Sequence, residues 1–174
     1  MRKIIRVGLL ITFGIFLANS QVRAERAVAA IRGTADGSLV SGEVTFEETE
    51  DALKITADLT NVPPGKHGFH IHEYGSCENE AKAAGGHYNP HSVPHGHLAT
   101  DGFENAHAGD LGNIDIKSDG TGKLETLIPG LSVSKGQYSV AGRTVIVHEK
   151  EDDFGQPTGN AGARTGCGTI AIAA

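Results

Sequence analysis

A set of six of the histidines and one of the aspartates between residues 70 and 148 constrains this 174-residue chain more than any other feature. His70 and His72 stand at i and i+2 in the run Gly-Phe-His-Ile-His-Glu, and in a strand that spacing puts both imidazoles on one face. Imidazole binds copper and zinc, and carboxylate also binds zinc. The pattern predicts a two-metal site whose ligands are His70, His72, His87, His95, His107, Asp110 and His148.

The first 24 residues have the composition of a secretory signal. Three basic residues near the start precede an apolar run at 7–18, and a Val-Arg-Ala cleavage site follows at 22–24. The apolar run is shorter than the roughly 20 residues of a spanning helix, and an uncleaved anchor is the alternative. We expect export to the periplasm or the extracellular space, no membrane attachment after cleavage, and one domain over residues 25–174.

The predicted mature chain is strongly acidic. The signal segment holds four of the 15 Lys and Arg and none of the 21 Asp and Glu, which leaves 11 basic and 21 acidic residues, a net charge of −10. Such a charge argues against nucleic acid or an anionic membrane surface as a partner. An anionic substrate would be repelled unless positive charge were concentrated at the site.

Cys77 and Cys167 are the two cysteines of the chain. In an exported protein a single disulfide is the expected state, with two free thiols as the alternative. The bond would close a loop of roughly 90 residues, for which chain entropy gives about 4 to 5 kcal/mol of stabilisation.

Short alternating segments separated by glycine and proline predict an all-β domain, either a sandwich or a barrel. The 24 Gly, 6 Pro and absence of Trp agree with many turns. From residue 73 to 112 the alternation gives way to a Gly-, His- and Asn-rich stretch, and loops of that length are usually functional or disordered. The predicted strands are 27–34, 39–47, 53–59, 112–116, 124–128, 143–148 and 168–173.

The candidate ligands divide between strands and this long loop. The strand ligands are His70, His72 and His148. The loop ligands are His87, His95, His107 and Asp110. Three histidines with one aspartate suit a closed tetrahedral zinc site, whereas three or four histidines with an open position suit copper. Periodicity leaves open whether His87 bridges two metals.

Five short motifs occur in order along the mature chain. They are Gly-Phe-His-Ile-His-Glu at 68–73, Gly-His-Tyr-Asn-Pro at 86–90, Ala-His-Ala-Gly-Asp-Leu-Gly-Asn at 106–113, Val-His-Glu-Lys at 147–150 followed by Asp152, and Gly-Asn-Ala-Gly-Ala-Arg at 159–164 followed by Cys167-Gly168. Together they closely resemble the copper–zinc superoxide dismutases, over nearly all of the mature chain. This resemblance implies an eight-stranded Greek-key β-barrel or sandwich with long metal-binding and active-site loops.

The resemblance also implies an activity, which is the disproportionation of superoxide to O2 and H2O2. Copper takes an electron from one superoxide and returns it to a second, whereas zinc has no redox role. The implied copper ligands are His70, His72, His87 and His148. The implied zinc ligands are His87, His95, His107 and Asp110, with His87 as the bridge and a carrier of one proton.

Further residues receive roles from the same resemblance. Asp152 joins a copper histidine, His70, to a zinc histidine, His95, and Arg164 lies beside the open copper position to attract the anion. The cysteine pair anchors the loop next to that arginine. The position of the first cysteine is nearer to that of exported bacterial members, and the loop after Asp153 is short. A homodimer is expected.

Other functions with the same ligands are a copper chaperone, a metal-binding module without catalysis and a zinc hydrolase. The chain lacks Cys-rich delivery motifs and a His-Glu-x-x-His sequence, and it keeps all four implied copper ligands. We expect the remaining polar candidates near the motifs to be structural or solvated residues. These are His67, His91, His97 and Asp153.

Overall fold

Alternation of buried and exposed side chains builds the walls of a β-barrel in the computed structural model, which describes residues 24–174. In the third strand, for example, Leu53, Ile55, Ala57 and Leu59 are buried and the residues between them are not. The strands are β1 Arg26–Gly33, β2 Ser41–Glu48, β3 Leu53–Thr60, β4 Gly65–His72, β5 Asp110–Ile116, β6 Gly122–Ile128, β7 Thr144–His148, β8 Arg164–Thr169 and β9 Ala171–Ile172.

All strand pairs are antiparallel, and the sheet order is β2-β3-β6-β5-β4-β7-β8-β1-β9. The additional pairing of β1 with β2 closes eight strands into a barrel, and the two-residue β9 continues along β1. Because β3 pairs with β6, the chain crosses over as in a Greek key. The predicted all-β, eight-stranded barrel is confirmed.

Several strands begin earlier than the apolar pattern indicates, and the largest difference among the predicted segments is in β8. β8 begins at Arg164, before the predicted segment 168–173. The apolar pattern misses the start of β8 because glycines interrupt it where the strands pack closely. A Cβ on Gly168 would lie 2.6 Å from the carbonyl oxygen of Ala30, and one on Gly166 would lie 3.0 Å from Ile31.

Two long loops lie between barrel strands and carry polar residues. Residues 73–109 connect β4 to β5 and include a 3-10 turn, Lys82–Ala84, and a short helix, α1 Leu98–Asp101. The predicted disulfide between Cys77 and Cys167 is confirmed, and it ties this loop to β8. Residues 149–163 connect β7 to β8 and approach the first loop.

The predicted signal peptide lies almost entirely outside the residues that the structure describes, so it stays a prediction. Among residues 24–174, no helix has both the length and the apolar character needed to span a bilayer.

Candidate metal centre

Two adjacent barrel strands supply three of the predicted ligands. β4 and β7 pair with His70 opposite Ile146 and His72 opposite Thr144, which brings His148 at the end of β7 beside both histidines. The Nε2 atoms of His72 and His148 are 3.4 Å apart, and the ring centroids of His70 and His148 are 4.9 Å apart. The structure therefore brings together the three histidines that the strand spacing places on one side of the predicted site.

The long loop brings His87 to the same strand. His87 forms an isolated antiparallel bridge with His72, and the amide of Tyr88 donates to the carbonyl oxygen of Ile71 at 2.8 Å. Gly109 permits this approach, because a Cβ there would lie 2.0 Å from the Ile71 oxygen. We call His70, His72, His87 and His148 the strand group; each offers a ligand atom within 4.8 Å of the others.

A second cluster of ligand atoms forms around one buried carboxylate. The Oδ1 atom of Asp110 lies 2.8 Å from Nδ1 of His87 and 3.1 Å from Nδ1 of His107, and Oδ2 lies 2.8 Å from Nδ1 of His95. Backbone amides of Gly96 and His107 also donate to Oδ2. We call His87, His95, His107 and Asp110 the Asp110 group.

The charges of the Asp110 group follow from these contacts. Burial opposes ionisation of Asp110, but hydrogen bonds from His107, His87 and His95 outweigh it and hold the pKa of Asp110 well below its usual range. Burial also opposes the charged form of His95, but bonds to Asp110 and Asp152 raise the pKa of His95 to about 9. Asp110 therefore carries a fixed negative charge, which favours a cation between the ligand atoms, and a metal bound there would displace the proton of His95.

Three histidines of the strand group, His72, His87 and His148, have pKa values well below that of a free imidazole. Burial, reinforced by neighbouring histidines, lowers the pKa of His72 to about 2 and that of His148 to about 3. Burial likewise lowers the pKa of His87 to about 4, against the contrary effect of Asp110. A metal needs deprotonated imidazole, so these rings are ready to bind one.

One atom shows that the strand group fits a metal. Nδ1 of His70 is buried and has no hydrogen-bond partner among residues 24–174, although Nε2 of the same ring contacts Asp152 at 2.7 Å. A buried polar atom without a partner costs free energy, and a metal ion would supply the missing bond. The two groups share His87, whose Nδ1 faces Asp110. Its Nε2 is then the atom that remains for the strand group.

Asp152 connects the two groups. Its Oδ2 contacts Nε2 of His70 at 2.7 Å and its Oδ1 contacts Nε2 of His95 at 3.0 Å. Asn113 holds the backbone of Asp152 through two hydrogen bonds of 2.7 and 2.9 Å. Gly159 leaves room for the contact, because a Cβ there would lie 1.8 Å from Oδ1 of Asp152. Burial opposes ionisation of Asp152, but the two histidines hold its pKa well below the usual range.

Arg164 lies at the rim of the strand group. Its guanidinium donates to the carbonyl oxygens of Ala81 and Gly85 in the first loop, the latter at 2.6 Å. Burial lowers the pKa of Arg164, but a guanidinium stays charged in a protein. A pocket of about 210 Å³ is lined by Arg164 together with His72, His87 and His148.

The remaining predicted polar residues lie apart from the ligand atoms. His67 is buried, with Nδ1 2.8 Å from the carbonyl oxygen of His148 and Nε2 2.8 Å from that of Pro63, so its role is structural. His91 and Asp153 are exposed and His97 is partly buried. Sequence reasoning assigned no role to Asn113 or to Gln156, which contacts His95. Asn113 lies at the end of the motif at 106–113, whereas no sequence pattern marks Gln156.

A family model described as "Copper/zinc superoxide dismutase (SODC)" matches residues 40–170. This chain belongs to that family. The extracellular Cu-Zn superoxide dismutase of Caenorhabditis elegans is 45% identical over 136 residues, which are 74% of this chain and 60% of that protein. The Cu-Zn superoxide dismutase of Onchocerca volvulus is 39% identical over 160 residues, 85% of this chain and 96% of that protein.

A solved structure agrees with the membership of this superoxide dismutase family. The clock protein EA4 has a TM-score of 0.77 and 34% identity, and the match covers 86% of this chain and 96% of that one. The prediction of a Cu/Zn superoxide dismutase, an oxidoreductase with copper and zinc as cofactors, is confirmed at the level of the family. The likeness to exported bacterial members stays a prediction.

Proposed function

We propose that this chain disproportionates superoxide to O2 and H2O2 with copper held by the strand group and zinc held by the Asp110 group. The observation that carries the proposal is the pair of buried ligand groups that share His87, one all-histidine and one with a carboxylate. Bound copper supplies a one-electron redox couple, and bound zinc, which has no redox chemistry, supplies fixed positive charge. Two superoxides and two protons yield one O2 and one H2O2.

Arg164 supplies the attraction for the substrate. Two carbonyl oxygens of the first loop fix its guanidinium at the pocket that His72, His87 and His148 line. A fixed positive charge in a narrow opening raises the local concentration of a small anion, which the net charge of the mature chain would repel. The disulfide holds the loop that carries both carbonyl groups.

His87 has the geometry to deliver one of the two protons. The carboxylate of Asp110 accepts a hydrogen bond from Nδ1 of His87, so Nε2 of His87 is the atom that faces the strand group and the pocket. When Nε2 does not bind copper, a proton held there would be close to the anion in the pocket. Asp152 keeps its two histidines oriented while this occurs, because it contacts Nε2 of both rings.

The decisive experiment uses purified residues 25–174 loaded with copper and zinc. We expect rapid loss of superoxide, its disappearance when copper alone is removed, and its return when copper is restored. A zinc-only sample is the control, and a zinc hydrolase would not depend on copper. Full occupancy of both sites without superoxide loss would refute the activity.

Export and a homodimer complete the proposal. Export is supported by the charge pattern of residues 1–24, by the disulfide and by the Caenorhabditis elegans relative, which is named as extracellular. The residues Tyr74 and Ile172 are 60% and 55% exposed, so each offers apolar surface for a contact between two copies. Sedimentation of the purified mature chain tests the dimer, and N-terminal sequencing of the protein secreted by an expressing host tests cleavage.

A further inference from the structure

A carboxamide in the loop after β7 grips the backbone of one Asp110-group histidine. The amide of His95 donates to Oε1 of Gln156 at 3.1 Å, and Nε2 of Gln156 donates to the carbonyl oxygen of His95 at 2.8 Å. We call this pair of bonds the Gln156 clasp. It resembles the pairing of two strand residues, with one partner replaced by a side chain.

The backbone of His95 is held by a side chain of that loop, whereas strands or strand pairing hold the backbones of the strand-group ligands. His70, His72 and His148 belong to strands, and the loop at His87 pairs with β4. His95 lies in no strand, and within residues 24–174 both hydrogen bonds of its backbone go to Gln156. The clasp therefore substitutes for the sheet at this position.

The same loop also holds the ring of His95. Oδ1 of Asp152 contacts Nε2 at 3.0 Å, and Phe154 stacks on the imidazole with a centroid distance of 6.3 Å and an interplanar angle of 20°. Nδ1 then faces Asp110 at 2.8 Å, which is the side of the cluster's other ligand atoms. Backbone and ring are thus fixed by one short segment, residues 152–156.

We propose that Gln156 is a positioning residue that sets how firmly the Asp110 group retains zinc. It acts through His95, by fixing the backbone from which the imidazole projects, and it does not touch the metal. The proposal rests on the zinc set given above. It makes the loop after β7 a determinant of zinc retention, although that loop contributes no ligand.

Zinc release to a chelator tests the proposal in the protein loaded with both metals. We expect Gln156→Ala to release zinc about tenfold faster, in the range known for residues that orient metal ligands. Gln156→Glu keeps the acceptor but loses the donor, so we expect an intermediate rate. The matched control is Gln137→Ala, because Gln137 is also exposed and its side chain makes no hydrogen bond among the described residues.

A second measurement separates positioning from general loosening. Cobalt(II) placed in the zinc site should show an altered visible spectrum in Gln156→Ala, while the rate of copper release stays that of the parent. Zinc release at the parent rate, or equal acceleration of copper and zinc release, would overturn the inference. Altered zinc release in a protein without superoxide activity would refute the proposed function and leave this inference standing.

Discussion

The strand group and the Asp110 group meet at His87, but their ligands are positioned by different parts of the fold. Three strand-group histidines project from β4 and β7, whose pairing fixes their separation. In the Asp110 group, Asp110 begins β5, whereas His95 and His107 lie in the long loop. A barrel wall orders the first group, and side-chain contacts order most of the second.

This difference indicates that the geometry of the Asp110 group depends on residues distant in the chain. The loop ligands are held by the Asp110 carboxylate, by Asp152 and by the Gln156 clasp, and the disulfide ties the first part of the loop to β8. Asp152, the Gln156 clasp and the disulfide each join segments at least 57 residues apart in the chain. Metal binding should therefore order the Asp110 group more than the strand group.

The largest expected effect is that of breaking the strand group. His72→Ala removes a proposed copper ligand but leaves the Asp110 carboxylate and its three histidines, so superoxide loss should fall by more than about 100-fold while zinc stays bound. Pulse radiolysis with metal analysis measures both quantities, and His91→Ala, at an exposed histidine, is the control. Retained copper with parent activity would remove His72 from the copper set.

Breaking the Asp110 group should produce the converse result. His107→Ala removes one proposed zinc ligand, and zinc affinity should fall by more than about 100-fold, since even residues that only orient ligands contribute about 10- to 100-fold. Copper should remain on the strands. Metal analysis and amide hydrogen exchange over residues 73–109 measure the outcome. Stoichiometric zinc in this variant would mean that the zinc set is wrong.

Cutting the link between the groups should have a smaller effect. Asp152→Asn keeps the shape of the side chain but removes its charge, and we expect zinc affinity to fall about 10- to 100-fold. Asp153→Asn is the matched control, because Asp153 is adjacent and exposed. Competition with a chelator measures the affinity, and equal values for the two variants would contradict a linking role for Asp152.

The smallest effect is expected where both groups stay intact. Arg164→Ala should lower the second-order rate with superoxide about tenfold and flatten its dependence on ionic strength, because electrostatic steering is lost. Both metals should remain bound. Arg164→Lys retains the charge and should retain most of the ionic-strength dependence. An unchanged rate in Arg164→Ala would exclude Arg164 from the mechanism.

The sequence indicated the candidate metal-binding residues more directly than the residues that support them. Histidine spacing and the family motifs pointed to every residue that the structure brings together in the two groups, because few residue types bind copper or zinc. The start of β8 was misplaced, since glycines at 166 and 168 interrupt the apolar pattern that marks a strand. Gln156 received no role, because an exposed glutamine in a loop has no local signature.

The sequence by itself determined the chemistry available to this protein: six histidines, an aspartate, an arginine and one cysteine pair in a β-rich chain. Side-chain type fixes which metals and charges a residue can accept, and alternation fixes which face of a strand is buried. Only the tertiary structure decided that Arg164 binds the carbonyl groups of Ala81 and Gly85 and that Gln156 grips His95. Those contacts join segments distant in the chain, and backbone acceptors are the same at every residue, so no local pattern specifies them.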